Sequence, residues 1–139
     1  MKTHILTIFS HIGNHPSTTI FRATVARRPE DLARGLIGQT DLDEKYALLL
    51  DFGTTSLVNI TMQGMSIPID IVYFDADDHA CFLVENAQPN EPVPQSVVAR
   101  SVVELRAGTI RRLGLDRRHH RNGLLATFMH LSAYHFVEN

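Results

Sequence analysis

The 139-residue sequence has no tryptophan, a single cysteine (Cys81) and two lysines against eleven arginines. One cysteine excludes an internal disulfide, so the fold must be held by its core. No stretch approaches the roughly 20 consecutive apolar residues of a membrane helix. The N-terminal stretch Met1-Lys2-Thr3-His4-Ile5-Leu6-Thr7-Ile8-Phe9 alternates apolar with polar residues. It ends at Ser10-His11 without the small-residue cleavage site of a secretory leader. These absences predict a chain with no membrane contact, either cytoplasmic or part of an intracellularly assembled, virion-like particle. In that setting the formal glycosylation acceptor Asn59-Ile60-Thr61 carries no meaning. Phosphate-cradling glycine loops, dinucleotide fingerprints and Gly-x-Ser-x-Gly elbows are missing. So are internal repeats and low-complexity tracts.

What is present suits a single domain. The hydrophobic share is 44%, and a chain of this length buries about two-thirds of its unfolded surface. Cys81 lies in the apolar run Ala80-Cys81-Phe82-Leu83-Val84 and reads as a small core residue. The net charge of −2 conceals an asymmetry. Asp41 to Glu91 holds ten acidic residues and one basic one, Lys45; Glu104 to Arg121 holds six arginines against Glu104 and Asp116. Either these are two solvated faces, or one copy's acidic surface meets another's basic surface, the head-to-tail arrangement that builds rings and filaments.

Strand signals dominate. Ile5–Phe9 and Thr18–Ala26 alternate and flank loop-forming residues, which predicts a hairpin. Tyr46–Phe52, Ser56–Met62, Ile67–Phe74, Ala80–Glu85 and Val97–Leu105 follow, with Pro68 expected at a strand start or sheet edge. One short helix is predicted over residues 29–38. Pro29 suits its first turn, Glu30 and Asp31 its positive end, and Gly38 a left-handed cap. Thr109–Leu113 reads as a second short helical turn. Many short strands separated by turns predict a mainly β domain, a compact sandwich or barrel, over residues 1–121. Residues 122–139 are expected to form an apolar C-terminal tail or arm whose spacing fits a helix and a strand almost equally, with a strand or extended arm favoured.

Three segments resemble the bacterial and archaeal family known as domain of unknown function 192. Arg34-Gly35-Leu36-Ile37-Gly38 stands where the family shows Arg-Gly-Leu-Met-Gly. Ile60-Thr61-Met62-Gln63-Gly64-Met65-Ser66-Ile67-Pro68-Ile69-Asp70 stands where it shows Phe-Trp-Met-Lys-Asn-Thr, a variable residue and Ile-Pro-Leu-Asp. Val103-Glu104-Leu105-Arg106-Ala107-Gly108 is similar to its Glu-Leu-Pro-Ala-Gly turn. Order and spacing agree over about residues 20–115. The resemblance implies a β-rich sandwich or barrel with a short helix, and no activity, since the family has none established. This chain departs from the pattern in replacing the aromatic pair by Ile60-Thr61, the Lys-Asn by Gln63-Gly64, and a later Gly-Asp by Arg118-His119. Loss of a ligand-reading surface together with an added apolar tail suits a domain reused for assembly.

The candidate chemistry is sparse. Asp70 follows a rigid Ile-Pro-Ile among apolar residues; an inward carboxylate there needs a partner, and Arg34 or another arginine could supply it. Glu104 precedes a turn, where a carboxylate can accept backbone amides. Each could be a base or anchor, or a structural carboxylate. Among the eight histidines, His4, His11 and His15, the pair His119-His120, and His130 with His135 match no strong metal-ligand pattern, and His130 and His135 share no face on a strand or a helix, so neither metal nor cofactor is expected. The arginines lack the interleaved aromatics of a nucleic-acid surface, and a protein-facing patch fits them better. The leading expectation is a non-enzymatic structural or interaction subunit. It would self-associate or join an assembly through Arg111, Arg112, Arg117, Arg118, Arg121, Phe128 and Leu131. The alternative is a small-molecule-binding domain with a cleft near Met62, Asp70 and Glu104, with Arg34 beside it. The third is a hydrolase using Asp70 or Glu104.

Overall fold

The computed structural model describes residues 3–12, 15–93, 96–114, 120–121, 124–125 and 129–137. Within them the β-branched and aromatic runs form β1 (Thr3–Ile12), β2 (His15–Ala26), β3 (Tyr46–Val58), β4 (Ile69–Phe74), β5 (Ala80–Ala87), β6 (Val97–Arg106), β7 (His120–Arg121), β8 (Leu124–Leu125) and β9 (Met129–Val137). Two short helices, α1 (Pro29–Arg34) and α2 (Thr109–Arg112), interrupt them. Seven strands make one sheet in the order β5-β4-β6-β3-β2-β1-β9, and β7 pairs with β8. The chain is thus a mainly β domain with a short helix near residue 30, as its strand pattern predicts. β2 and β3 run parallel, while the other neighbours in the large sheet are antiparallel. The segment Met129–Val137 is a strand against β1. Among the described residues no helix is long and apolar enough to cross a membrane.

Both faces of the central strands are buried, which explains why β4 reads as an apolar run broken only by Asp70. Alternate residues leave each strand on opposite faces. Leu49, Val72, Phe74, Val103 and Leu105 join one core with Leu6 and Ile8 of β1, Leu83 of β5, and Ile110 of α2. Because β1 and β5 lie far apart in the sheet order yet share this core, the sheet curls around it toward a barrel. Leu48, Leu50, Ile69, Ile71, Tyr73 and Val102 face the other way. The Leu36 turn and Met62 and Met65 of the following loop cover them.

Asp70 turns toward the inner core and is fully buried. Its Oδ1 accepts the Asn86 amide and its Oδ2 the Ile110 amide, each at 2.8 Å. The partner expected from an arginine is thus supplied by two backbone N–H groups. They lie at the end of β5 and the start of α2, so one carboxylate fastens three segments.

Two local expectations are corrected. The first helix ends at Gly35, not Gly38. Gly35 takes φ 51°, ψ −127°, a region nearly closed to residues with a side chain, so the helical ladder stops there and residues 35–38 continue as turns. Cys81 is exposed rather than a core residue. It leaves β5 on the open side, and its thiol donates to the carbonyls of Tyr73 and Val98. Partial cover, and then the Asp75 charge, push that thiol up.

Replacing Asp70 by Ala orphans two buried amides, and urea unfolding should register a loss of about 3 kcal/mol. Asp70→Asn keeps one acceptor and should recover roughly half.

Candidate functional site

β6 places Glu104 opposite Leu48 of β3 and Ile71 of β4, both outer-face residues. Glu104 therefore lies on the outer face and Asp70 on the inner one. The single cleft expected near Met62, Asp70 and Glu104 does not exist, because a sheet separates the two carboxylates. The expectation that Glu104 accepts backbone amides fails as well: that arrangement belongs to Asp70.

Glu104 is only 4% exposed, and among the described residues its carboxylate has no ion pair or hydrogen bond. It lines a cavity of about 90 Å³ between the sheet and the turn that follows α1. Arg34, Gly35, Ile37, Leu50, Asn59, Thr61 and Met65 complete much of the wall. Burial without a partner raises the Glu104 carboxyl from 4.5 to about 7. Tyr73, on the same face of β4, is pushed up to about 12, first by burial and then by the Glu104 charge. Its hydroxyl is buried without a hydrogen bond.

Gly35 lets the backbone come close to this carboxylate, since a Cβ there would lie 3.4 Å from Glu104 Oε1. A second cavity, about 250 Å³, adjoins the first across the same turn. Arg34, Gly35, Leu36 and Ile37 border both. Thr24, Asp31, Gln39, Tyr46 and Leu48 line only the larger one. The Asp31 carboxylate is engaged by Arg28 at 3.1 Å. Arg34 itself is exposed and makes no ion pair among the described residues.

Of the four ligand residues expected from sequence, then, Arg34 and Glu104 share a cavity. Met62 is packed into the outer core, and the loop instead presents Met65. Its geometry comes from a turn in which Gly64 takes φ 81° and donates its amide to Asn90 Oδ1, while the Asn90 amide donates to the Met62 carbonyl. Left-handed backbone favours glycine or asparagine, so Gly64 fits where the family motif carries Asn. Gly35, Asn59 and Thr61 were not singled out from sequence. A signal existed for Gly35, inside the Arg34-Gly35-Leu36 motif, and for Thr61, which stands in place of the family's second aromatic; Asn59 is placed by loop geometry alone. Asn59 Oδ1 accepts the Ser96 hydroxyl, and Thr61 Oγ1 the Gln63 amide.

Of the expected interface residues, Arg111 and Arg112 are exposed on α2, and Arg112 donates to the Glu44 carbonyl at 3.3 Å. Arg117, Arg118 and Phe128 lie outside the described residues; Arg121 and Leu131 are described only as backbone of β7 and β9. Among the described residues no three His, Cys, Asp or Glu side chains come together as a metal site would require.

The model for the family named domain of unknown function 192, an uncharacterized ACR, matches residues 11–120. A crystal structure of a protein of unknown function from Novosphingobium aromaticivorans is 23% identical, with a TM-score of 0.71 over 81% of this chain and 80% of that one. Another, a protein from Sinorhizobium meliloti proposed as a transcription regulator, is 26% identical with a TM-score of 0.70, covering 84% and 88% respectively. No curated protein matches the chain.

Because the folded Glu104 carboxyl holds its proton to about pH 7, whereas the unfolded one releases it near 4.5, the native state binds more protons between those values. Stability contributed by the neutral form is complete below pH 4.5 and is lost as pH rises through about 7. Glu104→Gln, neutral at every pH, should match the parent near pH 4 and exceed it by about 3 kcal/mol near pH 9 in urea titrations.

Proposed function

Since the chain belongs to the uncharacterized family of domain of unknown function 192, we propose from its site that it is a small-molecule-binding protein whose ligand seats against Glu104. The observation that carries this reading is a carboxylate 4% exposed, without a partner among the described residues, lining a cavity. A buried charge in that condition is costly, and a ligand that donates hydrogen bonds to it removes the cost. A protonated amine is the best-matched group, because its N–H donors and its charge both answer the carboxylate. The shell around it suits a small polar molecule: Leu50 and Met65 supply apolar wall, Asn59 and Thr61 polar edges. Asp70, sealed on the inner face by two amides, takes no part in this reading. The hydrolase alternative thereby loses one of its two carboxylates.

Self-association is a second reading, favoured by one observation. Leu57 and Val98 face each other in the β3–β6 register and are 63% and 59% exposed, an apolar pair at the surface. A second copy is the occupant we favour, given the acidic Asp41–Glu91 stretch and the arginines between Glu104 and Arg121. The likeness to a proposed transcription regulator does not redirect either reading. Arg111 and Arg112 are the exposed cations of α2, and the stretch from Glu104 to Gly114 holds no aromatic residue to stack on a base.

Ethylammonium titrated into the ¹⁵N-labelled protein should perturb the amides of residues 34–37, 59–61 and 104. The effect should strengthen as pH rises through about 7, where the carboxylate ionises, and vanish in Glu104→Gln. An unperturbed spectrum at saturating amine would end the small-molecule reading. For self-association, light scattering should give a mass above the monomer at low salt that falls with added salt or with Leu57→Glu; a monomer under all three conditions removes that reading.

A further inference from the structure

The turn Arg34-Gly35-Leu36-Ile37 has a cavity on either side, and Arg34 borders both. The smaller cavity contains the unpartnered Glu104 carboxylate. The larger one adds neutral donors, the Thr24 hydroxyl, the Gln39 amide and the half-buried Tyr46 phenol. Its one acidic group, Asp31, is paired with Arg28, so little net negative charge opposes an anion there. From this juxtaposition we infer that the two cavities form one bipartite site for a small zwitterion, with an ammonium group against Glu104 and a carboxylate against Arg34. The inference rests on the small-molecule reading and adds the ligand's second charge.

The chemistry of the two ends is complementary in sign and in kind. A carboxylate with no donor calls for an ammonium group. A guanidinium with no ion pair presents a planar fork of N–H groups that matches a carboxylate two bonds at a time. Gly35 makes the arrangement possible, because its φ of 51° and missing side chain carry the backbone between Arg34 and the Glu104 oxygen without filling the space. The smaller cavity, about 90 Å³, takes the ammonium end, and the larger, about 250 Å³, lies across the turn beside Arg34. The class is therefore small amino acids, and the separation of the two charges is the variable that selects among them.

The test compares ethylammonium, acetate, glycine, β-alanine and γ-aminobutyrate on the full chain by calorimetry and by the same amide spectra. At least one of the three zwitterions should bind roughly tenfold tighter than ethylammonium, the gain expected from one charge-assisted pair. Arg34→Met should abolish that gain, bringing the zwitterions to the affinity that ethylammonium shows for the same variant. Arg34 is exposed, so the variant should fold, and its dispersed amide spectrum without ligand checks that it has. If all three zwitterions bind no tighter than ethylammonium, or the gain survives in Arg34→Met, the bipartite site is refuted while the Glu104 seat stands. If ethylammonium and the zwitterions are all silent, both readings fall together.

Discussion

The two hydrogen bonds that Asp70 accepts set the phase of everything around them. By taking the amides of Asn86 and Ile110, the carboxylate fixes which face of β4 looks into the curled sheet. Its neighbours Ile69 and Ile71 must then look outward, and the register that sets Asp70 against Leu105 sends Glu104 outward too. A slip of one residue in this pairing would set Asp70 opposite Glu104 or Arg106 and bring the two carboxylates onto one face. The site near α1 is in this sense a consequence of a bond on the opposite face.

The two acidic residues illustrate how environment divides roles between like groups. Asp70 is fully buried, and each of its carboxylate oxygens accepts a backbone N–H group. Glu104 is nearly as buried, yet no donor among the described residues reaches it. Gly35 stands beside the carboxylate at a positive φ that glycine adopts without strain. A buried carboxylate without a donor, beside a cavity, is the usual mark of a place shaped for something other than stability.

Much of the fold was readable along the chain. The strand runs, the hairpin of β1 with β2, Pro29 at the opening of α1 and the short turn at Thr109 all rest on local periodicity and local chemistry. What was not readable depends on pairing across distance. The partner of Asp70 lies forty residues away at Ile110, and no local pattern announces it. Buried status was inferable for both carboxylates, because they interrupt apolar runs; which face each takes was not, because strands buried on both sides erase the alternation that would reveal it. Cys81 failed for a related reason, since an apolar neighbourhood in sequence says nothing about which side a strand residue leaves. Met62 and Met65 exchanged places because the Gly64 and Asn90 turn, not composition, decides which of them reaches the cavity.

The parallel pairing of β2 with β3 has a further consequence. A hairpin can join antiparallel neighbours, but parallel ones require the chain to travel back along the sheet before it can pair again. Between Ala26 and Tyr46 it does so over the outer face, and α1 and the turn after it are the material of that return journey. The cavity roof is therefore tethered at both ends to adjacent strands and cannot be lost without losing the sheet's connectivity. Sequence change within the roof can reshape what lies beneath it, yet the presence of a roof is dictated by topology. A fold of this kind carries a ready enclosure wherever it is used, and selection has only to choose its lining.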